Sequence, residues 1–151
     1  MTNHLNSSVG EVFLNLVSIP NFTNTIMTSR LLLQLAALLG GLGVAIGAFG
    51  AHALREMLTK TGRFDTFETA VRYQFYHALA LLAVGVLWAA RPELRSLGTT
   101  GWLWVGGIVV FSGSLYALCF TGITKLGAVA PLGGLLLLAG WVSLALAVRK
   151  L

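Results

Sequence analysis

The chain has 151 residues, room for one domain, with 56% of them hydrophobic and 10% charged. Its mean hydropathy is +0.83. A soluble domain carries about 25% charged residues, so a fully water-solvated surface is excluded and lipid must solvate much of the chain. The net charge of +5 is scattered through the polar gaps between apolar runs. That pattern suits anionic lipid headgroups and topology control better than a phosphate-binding face for nucleic acid, so nucleic acid is not expected as a partner.

Residues 1–29 read as an N-terminal extension. The stretch EVFLNLVSIPNF is mildly apolar, too short to span a bilayer and interrupted by Pro20. It is expected to be a surface helix or disordered, with a translation start at Met27 as the alternative. The membrane domain is then 30–151.

The first span is expected over 31–54, a run of apolar and small residues without Lys, Arg, Asp or Glu. Arg30, this run and the Ala51-His52-Ala53 triplet mimic a signal peptide. The h-region of such a signal is about 7–15 residues, however, and this run is long enough to span, so a retained helix is expected. On a helical wheel Ala36, Gly40, Gly43, Gly47 and Gly50 fall on one face. A face without side chains lets another helix approach to backbone contact, which strengthens dispersion in lipid. The partner helix is either one of this chain or one of a second subunit.

Residues 55–72 are polar, and DTFETAVRYQFYHALALL runs on into the second span, 73–90, so that helix is expected to begin near Asp65. RPELRSLGTTG is a short hairpin loop before the third span, 101–121. TGITKLG is a shorter loop before the fourth, 126–148. Short connections make consecutive helices antiparallel neighbours. The third span carries Gly106 and Gly113 with Ala117, and the fourth Ala130 with Gly133 and Gly134, as related packing stripes. Ser112, Ser114, Cys119 and Thr121 are expected to bond back to their own helix. Pro131 stands early in the fourth span, where it is tolerated. The single cysteine excludes an internal disulfide.

Both termini share a side with Arg91 and Arg95. Arg30, Arg91, Arg95, Arg149 and Lys150 oppose Arg55, Lys60, Arg63, Arg72 and Lys125, a tie that leaves orientation undecided. Trp88, Trp102 and Trp104 cluster toward the 91–101 loop, and Tyr73, Tyr76 and Tyr116 toward the other face, as interfacial belts do.

Ionisable groups gather at one end, with His52 and Arg55 closing the first span and Glu68, Arg72, Tyr73, Tyr76 and His77 opening the second. Glu68 and Arg72 are spaced as a helical ion pair. The cluster reads as an interfacial hydrogen-bonded network or as a proton or solute site, since ionisable groups near hydrocarbon are costly unless paired or hydrated. Two histidines without a fixed third ligand are weak evidence of a metal, and none is assigned. No P-loop, G-x-S-x-G, CxxC or H-E-x-x-H motif occurs, so no catalytic residue and no cofactor is assigned.

Four blocks together, GAFGAHALRE (47–56), FETAVRYQFYHALALL (67–82), FSGSLYAL (111–118) and LGAVAPLGGLLLLAGW (126–141), resemble the bacterial membrane-protein family named domain of unknown function 423, related to animal transmembrane protein 256. The resemblance covers roughly 27–148. It implies a four-helix, multi-pass protein of the plasma (inner) membrane and implies no activity. Residues 1–26 fall outside it. The sequence therefore predicts an all-α, four-span membrane bundle. The role expected of it is non-catalytic, exerted through helix packing, as a homo-oligomer or as an accessory subunit of a larger membrane complex. The alternative is a small transporter or channel using His52, Glu68, Arg72 and His77.

Overall fold

The computed structural model describes residues 28–149; the expected extension and Met27 lie outside the described residues. The elements are α1 (Ser29–Ala51), α2 (Arg55–Lys60), α3 (Phe64–Ala90), α4 (Leu97–Thr121), a 3-10 turn (Thr124–Ala128) and α5 (Ala130–Val148). No strand occurs among the described residues. Four helices are long and apolar enough to cross a bilayer: α1, α3, α4, and α5 together with its leading turn. The 23 residues of α1 extend about 35 Å at the helical rise, enough for a hydrocarbon core of about 30 Å.

Local chemistry sets the helix ends. The Thr28 hydroxyl accepts the Leu31 N–H at 3.1 Å and caps α1. At the other end α1 stops at Ala51, before its apolar run does. The His52 N–H still reaches Ala48, but the Leu54 N–H bonds back to Phe49 at 2.9 Å, a wider turn that swings the chain aside. The short α2 follows, within what the sequence presents only as polar connection. It turns Leu58 inward against Phe67 and Cys119 and pairs Lys60 with Glu56 on its outer side at 2.6 Å. Gly62, at φ +66°, supplies the left-handed residue that lets α3 start at Phe64. α4 starts at Leu97, earlier than the span limit of 101, because Leu94 and Leu97 are not loop residues in character: both are buried in the main core cluster. Pro131 sits in the first turn of α5, where its missing N–H leaves no helical bond unmade.

Packing runs in the order α1–α3–α4–α5, so α1 and α5 are the outer members. The α1–α3 contact is antiparallel and built on glycine. A Cβ placed on Gly40 would lie 3.9 Å from Ala78, on Gly43 3.4 Å from Phe75, on Gly47 3.2 Å from Val71, and on Gly50 it would overlap the Phe67 ring. The α1 glycine face is thus occupied by α3 of the same chain. Gly85 returns the favour from α3, lying against Leu33.

The α4–α5 contact is equally close, but of the expected glycines only Gly133 takes a tight part in it. Gly107 meets Leu137, Gly140 meets the Trp104 indole, and Gly133 lies against the Phe111 backbone, where a Cβ would stand 2.7 Å from Cα. Gly106 and Gly134 have only ordinary contacts, at 3.8 and 3.9 Å, and Gly113 has no neighbour within 4 Å. The reason is that α4 and α5 are apolar on every side. A wheel has no polar face with which to orient them, and a one-residue error rotates the helix by 100°.

Glycine tolerance should therefore follow the contacts. Gly133→Ala should lower the thermal midpoint of the solubilised protein, at an overpacking cost of about 1–3 kcal/mol. Gly41→Ala, with nothing within 4 Å, should be neutral or stabilising by up to about 1 kcal/mol from helix propensity. Equal effects of the two substitutions would contradict this packing.

Candidate functional site

The expected polar cluster does not assemble as one site. His52 is exposed at the C-terminus of α1. The Arg55 guanidinium stacks over the Phe64 ring, 5.5 Å from its centroid. Glu68 and Arg72 pair at 3.4 Å along α3, a contact of the kind that contributes about 0.2–1 kcal/mol when exposed. Tyr73 and Tyr76 are both exposed, their rings 6.4 Å apart. His77 is elsewhere. It stands at the midpoint of α3, about 20 Å from either end, and its neighbour Ala78 faces Gly40 at the middle of α1. The structure brings Glu68 to Arg72 and separates His77 from His52.

What the structure assembles instead is a buried polar core centred on Gln74, a residue the sequence reading passes over. Gln74 is 4% exposed. Its Nε2 donates to the Leu39 carbonyl of α1 at 2.8 Å, and its Oε1 accepts from the Tyr116 hydroxyl of α4 at 3.0 Å. The Leu39 carbonyl already serves the helical bond to Gly43 and takes the amide on its second lone pair; a Cβ on Gly43 would meet the Gln74 amide nitrogen in ordinary contact, at 3.5 Å. One helical turn before Gln74, the Ser112 hydroxyl donates to the Ala70 carbonyl at 2.8 Å. Ser112 thus crosses to α3 and does not bond back to its own helix. Ser114 and Thr121 do bond back, to Phe111 at 2.9 Å and Ala117 at 2.7 Å.

His77 belongs to a second buried group. Trp141 of α5 donates Nε1–H to His77 Nε2 at 3.2 Å. With Nε2 accepting, Nδ1 carries the proton and donates to the Tyr73 carbonyl at 2.8 Å, which makes the imidazole neutral. Trp104 and Trp141 meet edge to face at 4.9 Å, and both present edges or faces to His77 near 6 Å. Trp104 is fully buried and donates to the Leu137 carbonyl at 3.2 Å. Gly140 makes room for its indole. Trp104 is therefore interior packing, not an interfacial anchor, and Trp88 is likewise buried. Nearer that end Thr100 and Ser143 join α4 to α5 at 2.9 Å.

At the opposite end Arg63 reaches the C-terminus of α4. Its Nη1 donates to Cys119 at 3.4 Å and its Nη2 to Gly122 at 3.5 Å. A guanidinium there satisfies carbonyls that no further helical turn can use and complements the negative end of the helix dipole. Gly122, at φ +78°, ends the helix in the left-handed conformation. The Cys119 thiol is buried and directed at the Arg63 carbonyl, 3.7 Å away.

Chemically, these groups hold helices together. Among the described residues, no buried side-chain nitrogen or oxygen lacks a hydrogen-bond partner. No group of three His, Cys, Asp or Glu side chains comes together as a metal would require. Four apolar spans closed by interhelical hydrogen bonds define a multi-pass integral membrane protein with an all-helical interior.

Residues 46–134 match the family described as "Protein of unknown function (DUF423)". The chain belongs to that family. A UPF0382 membrane protein of Staphylococcus haemolyticus is 42% identical over 121 residues, which covers 80% of this chain and 97% of that protein. UPF0382 membrane protein YwdK of Bacillus subtilis is 40% identical over 121 residues, with 80% and 98% covered. A relative in Haemophilus influenzae is 41% identical over 113 residues, with 75% and 89% covered. No solved structure matches significantly.

The Gln74 bridge should behave as a coupled unit. Tyr116→Phe and Gln74→Leu should each destabilise the solubilised protein, and the double variant should lose less than the sum. Interhelical hydrogen bonds in membrane proteins couple by about 0.6 kcal/mol, and at most by about 1.7. A double-mutant cycle by denaturant titration measures this, and strict additivity would show the hydroxyl–amide bond to be energetically idle.

Proposed function

We propose that this protein works without catalysis, through its outer helix surfaces, as a homo-oligomer or as an accessory subunit of a larger complex in the plasma membrane. The observation that carries this reading is where the close-packing glycines are used. Gly43, Gly47 and Gly50 are engaged by α3, so they support the fold of one chain, whereas Gly41 and Gly113 have no neighbour within 4 Å and face outward. In lipid, association between helices is driven by close packing at small residues, and these two leave such surface free. The test is native mass after gentle extraction from the plasma-membrane fraction, with every co-purifying chain identified. Gly41→Leu and Gly113→Leu should reduce the assembled mass while leaving the helical fold intact. Gly43→Leu and Gly47→Leu should instead destabilise the single chain. A monomer without partners, unchanged by any of these, would overturn the proposal.

One observation favours a second reading, passage of a proton or small solute. An imidazole stands at mid-depth, and ionisable groups there are rare and often mark proton or solute pathways. That reading requires flux in liposomes that His77→Phe abolishes. Flux that ignores this substitution removes His77 from it.

A further inference from the structure

The packing order leaves a gap between α1 and α4 near the Arg63 end. It is a crevice of about 340 Å³ lined by Ile46, Phe49, Leu54, Phe67, Tyr116 and Phe120. Phe67 lies against the α1 backbone because Gly50 has no Cβ, and it packs on Tyr116 at 5.3 Å and Phe120 at 6.1 Å. The walls are apolar throughout; the one hydroxyl, on Tyr116, donates to Gln74. Phe49 and Phe120, both more than half exposed, stand toward the surrounding lipid. An apolar gap left empty forfeits the dispersion contacts of its whole lining, and water gains no hydrogen-bond partner from these walls.

The rim has a different chemistry. Leu54 is followed directly by Arg55, whose guanidinium rests on Phe64, and Phe120 is preceded by Cys119, whose carbonyl is bound by Arg63. Neither Arg55 nor Arg63 takes part in an ion pair among the described residues, whereas Lys60 and Arg72 are matched by Glu56 and Glu68. An apolar slot with unmatched cations at its mouth, where a span ends, complements one kind of molecule. We propose that the crevice holds an acyl chain of an anionic phospholipid, with its phosphate at Arg55 and Arg63.

The full chain, reconstituted in bilayers of equal phosphatidylethanolamine and phosphatidylglycerol and released for native mass spectrometry, tests this. The wild type should retain phosphatidylglycerol in preference to the neutral lipid. Arg55→Gln, at an exposed position that leaves the core untouched, should reduce that preference about fivefold, the worth of one cation near an anionic headgroup. Ile46→Trp, which fills the slot, should remove retention of both lipids while the helical circular dichroism stays that of the wild type. Arg91→Gln, at the opposite end, should change neither. Retained lipid in the proportions of the bilayer, a preference that survives Arg55→Gln, or retention that survives Ile46→Trp in a folded protein would each overturn the proposal.

Discussion

The bilayer offers no water to a buried polar group, and this one constraint organises the interior. Gln74 has an amide with two donors and an acceptor, placed between three helices. Left unpaired it would cost several kcal/mol. Its solution uses a backbone carbonyl of α1 on one side and a phenol of α4 on the other. Because the carbonyl belongs to a helix that must stay intact, it can give only its second lone pair. The residue one turn on is Gly43, whose bare Cα lies beside the amide.

The same device recurs between α4 and α5. Gly140 admits the Trp104 indole against the α5 backbone, and the indole N–H finds the Leu137 carbonyl one turn back. The interface is then held by aromatic area together with a hydrogen bond. Small residues in membrane helices are usually understood as permitting proximity. Here proximity also exposes backbone acceptors, so that Gln74 and Trp104 can be buried without charged partners. Ser112 on the Ala70 carbonyl is a third bond to a helix backbone, between α3 and α4.

Much of the architecture is legible in the sequence, because uninterrupted apolar runs of spanning length admit few solutions. The site is less legible, for reasons particular residues make clear. Counting from the first continuous hydrocarbon at Tyr73 puts His77 at the interface. The helix begins at Phe64, and the residues facing Gly40 to Gly50 put His77 at mid-depth. Gln74 carries no charge and stands in a run of tyrosines and arginine, so it reads as surface. The signal that finds it is its place in the stripe Phe67, Ala70, Gln74, Ala78, Leu81, Gly85, whose other members are all buried and nonpolar. A lone amide in an otherwise apolar stripe must have a buried partner. Of the facing glycines of α4 and α5, Gly107 and Gly140 had no comparable signal, since those helices lack a polar side to orient them.

The three main helix contacts are therefore of two kinds. The α1–α3 and α4–α5 contacts are close glycine-mediated packings, in which the backbones come near and the side chains of one helix lie in the vacancies of the other. The central α3–α4 contact depends more on hydrogen bonds and aromatic rings. Arg63 ties it at one end, Ser112 and Tyr116 in the middle, and Trp88 over Gly98 at the other. Apolar packing between helices discriminates poorly in lipid, because lipid tails are as apolar as the side chains they replace. Directional bonds do discriminate. Placing them on the central contact fixes the register of one hairpin against the other, and the glycine contacts then need only bring each outer helix onto a seam whose alignment is already set.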